Sequence, residues 1–336
     1  MTFSTAYTPR PGDGPQRSLD DQPTTLEAWG AYVPSRSVSL EEAGAPLGLT
    51  RAQMKVLRRV YGVRDMRLDP EQSLFDLILP AARAALKEVT DPSTVKYLLY
   101  GHATQEVTPS TMDAADILRT SLGLHDAQAF GLTQQNCAIG LAAIDMAGAL
   151  LAMDGDPAAR ALVVTGEKPF AKLNQDYHSL GSVMGEAASA CLVARGGLGD
   201  RVRSYVTRTR GEFADGILMD QETRERANNA HDPEVSDVIR EAVAKAGLHL
   251  DDIHRFVHYN SLMVEVSTEL GVDRSRFFTD NLPKYSHCYA SDVLVNYTTM
   301  RDTGQLEPGR HYLFTATGLG ATYSAMVVTH APEGDS

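Results

Sequence analysis

The chain has 336 residues, 43% of them hydrophobic, and 43 acidic side chains outweigh 31 basic ones to give a formal net charge of −12. A surface of that sign repels phosphate-rich partners, which argues against a general nucleic-acid or anionic-membrane binder and leaves small molecules and proteins as partners. Three cysteines, Cys137, Cys191 and Cys288, make neither a CxxC pair nor an even set, so neither a zinc site nor a secreted disulfide framework is indicated and the thiols are expected to be reduced.

Residues 1–25 are rich in Pro, Gly, Ser, Thr and Asp and lack any period that would bury a face; they read as a loose arm. The N-terminus has no basic-then-apolar leader, and no apolar run reads as membrane-spanning, so a cytoplasmic protein is expected. Strand-like runs come next in "AWGAYVP", "VKYLLYGHA", "AQAFGLT", "ARALVVTGE" and "SACLVAR", and then in "RVRSYVTRT", "RFVHYNS", "HYLFTATG" and "SAMVVTH". Between them lie the helical patterns "SLFDLILPAARAALKEV", "TMDAADILRTSLGL", "EVSDVIREAVAKAGL" and "SDVLVNYTTMRDTG". The alternation predicts an α/β fold. The stretch 209–233 gives no clear conformation.

An echo divides the chain. A polar turn at Cys137 leads into a helix and the strand "ARALVVTGE"; the turn "YSHCYAS" leads into a helix, the connector "GQLEPG" and the strand "HYLFTATG". If the halves 26–197 and 198–336 repeat one topology about a two-fold axis, Cys137 and the His287–Cys288 pair sit at equivalent helix starts and face each other across the junction.

A helix start exposes unpaired N–H groups and the positive end of the dipole, where a thiol is most readily ionised, and small neighbours of Cys137 let a ligand approach the backbone. Most free cysteines simply pack, and Cys191, inside an apolar strand, reads as one of those. Of ten histidines most read as solvated. His258, at a strand end, and His287, in the turn that mirrors Cys137, are the two placed to polarise a thiol or a substrate carbonyl. Gly318 and Gly320 directly succeed a strand and either approach a ligand or serve a flexible turn; a full GxGxxG dinucleotide fingerprint is absent.

Taken together, "WGAYVPSRSVS", "YGVRDMR", the Cys137 helix, "ALVVTGE", "GEAASACLVA", "FVHYNS", "GQLEPG" and "TGLGATYSAMVV" resemble, in order and interval, a ketoacyl synthase III (KAS III) of the thiolase superfamily. The resemblance implies a duplicated five-layered (αβαβα) thiolase fold, normally a homodimer, which takes an acyl group from coenzyme A or an acyl carrier protein onto cysteine without a further cofactor or metal. Cys137 matches the nucleophile and His258 the family histidine. The backbone N–H groups of Cys137 and Leu319 match the oxyanion hole, beside Gly318 and Gly320.

His287 stands where the family has asparagine. A neutral imidazole can donate a hydrogen bond as an amide does, but it can also act as a base towards an alcohol or amine. Specialised acyl transfer to oxygen or nitrogen in natural-product biosynthesis is therefore the preferred expectation; decarboxylative condensation with a malonyl thioester, a non-catalytic partner subunit of a ketosynthase heterodimer, and a thioester hydrolase are the alternatives. The family's "GDGAGA" reads "GEAASA" here and its threonine-rich loop reads "GHATQEVTP", so the acyl pocket is expected to differ. Tyr289 and Tyr323 add aromatic bulk near the catalytic loops or merely pack. Arg51, Lys55, Arg58, Arg59, Arg64 and Arg67 form a basic island that either steers coenzyme A or an acidic carrier or is a solvated face paired with nearby acids.

Overall fold

A computed structural model describes residues 22–168, 183–259 and 263–331. In chain order the strands are β1 (Thr24–Tyr32), β2 (Ser37–Ser39), β3 (Asp65–Arg67), β4 (Val95–Gly101), β5 (Gln128–Leu132), β6 (Arg160–Gly166), β7 (Ala188–Arg195), β8 (Asp200–Thr209), β9 (Ile253–His258), β10 (His311–Gly318) and β11 (Thr322–Thr329). The principal helices are α1 (Leu40–Gly44), α2 (Arg51–Arg59), α3 (Leu74–Ala85), α4 (Ala114–Ser121), α5 (Ile139–Asp154), α6 (Gln221–Lys245), α7 (Val264–Leu270), α8 (Leu282–Tyr285) and α9 (Asp292–Asp302). Capping boxes start the first three: Ser39 with Glu42, Thr50 with Gln53, and Ser73 with Asp76 exchange side-chain and backbone hydrogen bonds and so satisfy N–H groups that have no partner within the helix.

Nine strands make one mixed sheet in the order β5-β4-β6-β7-β1-β8-β11-β10-β9, while β2 and β3 pair separately. The order repeats. β4 lies parallel to β6, which runs antiparallel to β7, which runs antiparallel to β1; β9 lies parallel to β10, which runs antiparallel to β11, which runs antiparallel to β8. β5 lies parallel on the outer side of β4, and its place beside β9 is taken by a single parallel bridge, Phe256 to Phe277. The two sets meet only at β1 and β8, through Thr25–Arg201 and Leu26–Asp200.

Three cores explain the layers. α3 and α4 pack on β4, β6 and β7 through Leu77, Ile78, Leu118, Leu98 and Val164. α6 and α7 pack on β10 and β11 through Val235, Ile239, Val266, Leu313 and Val327. Between them Leu141 and Ile144 of α5 and Leu294 and Tyr297 of α9 meet Val163 and Cys191 of one strand set and Val257 and Phe314 of the other. The succession helix, sheet, helix, sheet, helix is the five-layered arrangement. Because β6, β7, β10 and β11 are covered on both faces, they read as unbroken apolar runs, whereas β8 alternates buried and exposed residues. Asp200 staples the junction: its buried carboxylate accepts from Trp29 Nε1 (3.2 Å), Tyr297 Oη (2.9 Å) and the Ala331 backbone (3.1 Å) and pairs with His330 Nδ1 (2.7 Å).

Two sequence expectations need correction. A loose arm is expected over 1–25, yet Thr24 and Thr25 already pair with Arg195 and Ala194 in β1; the rest of that stretch before residue 22 lies outside the described residues. Residues Asn136–Asp154 form a 19-residue helical run of mean hydropathy 1.6, long and apolar enough to cross a membrane, where the sequence reading expects no such run. Its apolar character fits a central layer faced by both strand sets, with 56% of the run buried within the protein.

Candidate active site

The starts of α5 and α9 meet at the centre of the molecule, where the carboxyl ends of β4, β6, β9 and β10 open. Each helix is preceded by a tight turn, and these two turns hold all the non-glycine residues with positive φ among the described residues: Gln134 (70°) and Asn136 (50°) before Cys137, and Ser286 (58°) and Tyr289 (52°) around His287. Such backbone costs about 1–3 kcal/mol per residue and persists only where surrounding contacts impose it. Those contacts are visible. Ser286 Oγ donates to the Val183 carbonyl (2.6 Å), the His287 N–H to the same carbonyl (3.2 Å), and the Gly185 N–H to the His287 carbonyl (2.8 Å). Gly185 must be glycine, since a Cβ there would lie 2.2 Å from the Tyr285 carbonyl oxygen. Thr165 Oγ1 links Ser189 (2.6 Å) to Ser291 (2.9 Å) and so ties the second turn to β6 and β7.

Neither helix has a side-chain cap; before α5 the Ala138 N–H donates to the Gln135 carbonyl (3.1 Å) and the Ile139 N–H to the Asn136 carbonyl. The half-buried Cys137 places its Sγ 3.3 Å from His287 Nε2. His287 Nδ1 is paired with Asp292 Oδ2, in the first turn of α9, and Asp292 Oδ1 accepts from the Cys288 N–H at 2.7 Å. An ionised carboxylate only accepts, so Nδ1 carries the proton and Nε2 faces the thiol as a base. Burial opposes charge on His287, yet Asp292 and Cys137 hold its pKa well above that of an ordinary imidazole; burial pushes the Cys137 thiol up, and His287 pulls it back.

The Gly318–Gly320 loop lies in the same wall as Cys137. Gly318 approaches so closely that a Cβ would lie 1.9 Å from the Gln135 carbonyl oxygen, and Gly320 adopts φ 104°. The Leu319 N–H is engaged by the Asn136 side chain: Asn136 Oδ1 accepts from it at 3.1 Å and lies 3.1 Å from Cys137 Sγ, while Nδ2 donates to the Ala103 carbonyl at 3.0 Å. An amide oxygen thus rests where a substrate oxyanion is expected. The 103–104 loop beneath it is braced by the buried Glu167, which accepts from the Ala103 and Thr104 N–H groups (2.7 and 2.8 Å) and from Thr104 Oγ1 (2.7 Å).

A cavity of about 330 Å³ opens over the thiol, with Cys137, His287, Asn136 and the Gly318–Gly320 loop in its wall, and Tyr61, Tyr289 and Tyr323 supplying aromatic surface. A larger open depression of about 670 Å³ lies at the opposite ends of β9 and β10, around His254 and His311, with no cysteine in its lining.

His258 is not brought to the thiol. It is 1% exposed, absent from the cavity wall, and makes no hydrogen bond to Cys137; Nδ1 pairs with the Tyr259 carbonyl and Nε2 has no partner among the described residues. The next residue, Tyr259, faces the cavity instead, and His258 packs edge-on against Tyr259 and Phe277. Burial depresses its pKa to about 4, so its ring is neutral near pH 7.

Cys191 is wholly buried in β7, where burial raises its pKa far out of the reactive range, and Cys288 is 2% exposed and likewise raised. Arg51, Lys55, Arg58, Arg59 and Arg64 are exposed on and just beyond α2, none of them in the cavity wall, although Tyr61 of the same segment is. Arg58 pairs with Glu41 at 2.6 Å, and Arg67 donates to the Ser35 carbonyl at 2.8 Å.

Sequence reasoning missed Asp292, Asn136, His231 and Tyr259. Asp292 ends the motif "SHCYASD", and the signal for it was a carboxylate at the first position of the helix that succeeds a histidine turn.

Residues 243–330 match the family described as 3-Oxoacyl-[acyl-carrier-protein (ACP)] synthase III C terminal. Beta-ketoacyl-[acyl-carrier-protein] synthase III of Nitratidesulfovibrio vulgaris (strain DP4) is 22% identical to this chain, over 91% of it and 98% of that protein. Acetoacetyl CoA synthase NphT7 of Streptomyces sp. (strain CL190) is 26% identical, over 89% and 96% respectively. Among solved structures, the acyltransferase ChlB3 superposes with a TM-score of 0.81 at 21% identity, covering 92% of this chain and 98% of its own.

Proposed function

We propose that this chain, a KAS III-like protein of the thiolase superfamily, is a cysteine acyltransferase that takes an acyl group from a coenzyme A or carrier-protein thioester onto Cys137 and passes it to an oxygen or nitrogen nucleophile. One observation carries the reading: the hydrogen-bonded chain Asp292–His287–Cys137. Asp292 fixes the tautomer of His287 and favours its charged form, so the imidazole takes the thiol proton as Sγ attacks the donor carbonyl. The tetrahedral oxygen displaces Asn136 Oδ1 from the Leu319 N–H, with the Cys137 N–H as its second donor. His287 then returns the proton to the departing thiolate. In the second half-reaction the acceptor's O–H or N–H is deprotonated as its heteroatom bonds the acyl carbon and Cys137 leaves beside His287.

The same geometry weighs against decarboxylative condensation. His258, the second donor expected to hold an enolate, is outside the cavity wall and makes no hydrogen bond to Cys137, so His287 would face the enolate alone. A non-catalytic partner subunit would have no use for an intact triad. Of the related proteins, ChlB3 is named an acyltransferase and the others synthases, so likeness alone leaves the outcome open, and the Asp292–His287–Cys137 chain is what supports transfer. The basic residues Arg58, Arg59 and Arg64 beside the cavity fit steering of an anionic coenzyme A or carrier. A homodimer acting in the cytoplasm on a natural-product pathway, with no cofactor beyond the thioester, completes the proposal.

Intact-protein mass spectrometry with acyl and malonyl thioesters tests it. The expected result is an undecarboxylated adduct on wild type, absent from Cys137→Ala, that a nucleophile discharges. Steady carbon dioxide release with chain extension would establish condensation instead.

A further inference from the structure

A second hydrogen-bonded chain enters the same cavity from the opposite wall. The helix α6 runs through Pro233 and carries His231 to the cavity, where His231 Nε2 lies 3.0 Å from Tyr259 Oη and His231 Nδ1 lies 2.7 Å from Asp232 Oδ1. The polarity of this chain is set as in the first: the carboxylate accepts from Nδ1–H, so Nε2 accepts and the Tyr259 hydroxyl donates. The Tyr259 ring stands edge-on to His287, with centroids 5.9 Å apart, which puts it next to the imidazole that faces Cys137 and in the wall of the same cavity. Nothing in the acylation step uses these three residues.

We propose that Asp232, His231 and Tyr259 form a proton relay dedicated to the acceptor, and that the acceptor is a ring-borne hydroxyl, the class that the surrounding aromatic wall of Tyr61, Tyr289 and Tyr323 admits. The proposal rests on the acyl-transfer reading above and names its second substrate. The acceptor O–H bond breaks as its oxygen bonds to the acyl carbon; the proton passes to Tyr259 Oη while the Tyr259 proton passes to His231 Nε2, giving an imidazolium held by Asp232. The carbon–sulfur bond then breaks, Cys137 leaves as a thiolate beside His287, and the count closes when His231 releases its proton to solvent and the thiolate regains one through His287. A hydroxyl needs such a base because its own acidity is slight, whereas a nucleophile such as hydroxylamine is neutral and reactive as it stands. Tyr259 touches the acceptor and is catalytic; His231 and Asp232 act through it.

The test uses the acyl-enzyme of the full-length protein, loaded from acetyl-, butyryl- or octanoyl-CoA and tracked by mass as it discharges to cyclohexanol, benzyl alcohol or hydroxylamine. The readout is the ratio of alcohol transfer to hydroxylamine discharge. In Tyr259→Phe and in His231→Gln that ratio is expected to fall about 100-fold, in line with loss of a general base; a residue that only shapes the wall would slow both nucleophiles together and leave the ratio unchanged, which overturns the relay. Wild type that discharges to neither alcohol faster than to water also overturns it. Failure of any donor to acylate Cys137 is a different signal, and it removes the acyl-transfer reading along with the relay.

Discussion

The turns before α5 and α9 are built alike and do different work. Both place two residues at positive φ and both open an uncapped helix, although the turn around His287 is buried and the one before Cys137 only partly so. They differ in the first turn of the helix each one opens. The helix after Cys137 has no acidic residue there, and the carboxylates that oppose its thiolate, Glu167 and Asp292, come from other elements; the helix after His287 begins with Asp292, which grips both the imidazole and the Cys288 backbone. Equivalent frames thus supply a nucleophile from one half and a positioned base from the other, and a single carboxylate separates the roles.

Removing either partner should break that comparison. Cys137→Ala is expected to lower acyl transfer by at least about 10⁴-fold, as loss of a nucleophile in a triad does, read as turnover and as loss of the covalent adduct. Asp292→Asn keeps the shape but lets His287 lose its charged form more easily and adopt the wrong tautomer. A fall in kcat of about 10³-fold is expected, with alkylation of Cys137 by iodoacetamide slowed and its pH profile displaced upward, because the thiolate loses the cation beside it. An alkylation profile that does not move would show that the carboxylate serves the turn and not the chemistry.

Smaller effects sharpen the contrast. His258→Gln is expected to cost less than about tenfold in turnover, since that ring stays neutral and off the wall; a loss comparable to that of Asp292→Asn would restore His258 to the catalytic set. Smallest of all, Cys288→Ser should leave iodoacetamide labelling at one site per chain, on Cys137, because burial keeps the other two thiols protonated.

Much of the molecule is legible in the sequence for a simple reason: strands covered on both faces, such as β6, β7 and β11, leave long apolar runs, and β8 alternates. Cys137 and His287 stand out by the same route, as polar turns that open helices. His258 is misplaced by sequence reasoning because a strand end says where the backbone arrives but not which of two consecutive side chains faces the crevice; Tyr259 takes that face. Asp292 lies five residues beyond His287, across a turn whose positive φ at Tyr289 no pattern of hydrophobicity encodes. His231 is hidden in 209–233, where Pro233 and a run of charged residues mask the first half of α6. Its helix exists because a few faces, Ala227 and Ala230 among them, find apolar partners.

The Asn136 amide oxygen gives the empty enzyme an internal competitor. An incoming thioester carbonyl is neutral, as the amide is, and gains little by displacing it; the oxyanion that forms on attack is charged and draws far more from the same N–H donors. Ground-state binding is therefore handicapped while the transition state is not. Asn136→Gly, which keeps the backbone conformation and deletes the competitor, should make the enzyme bind its donor more tightly and discriminate less sharply between a carbonyl that is reacting and one that merely rests there.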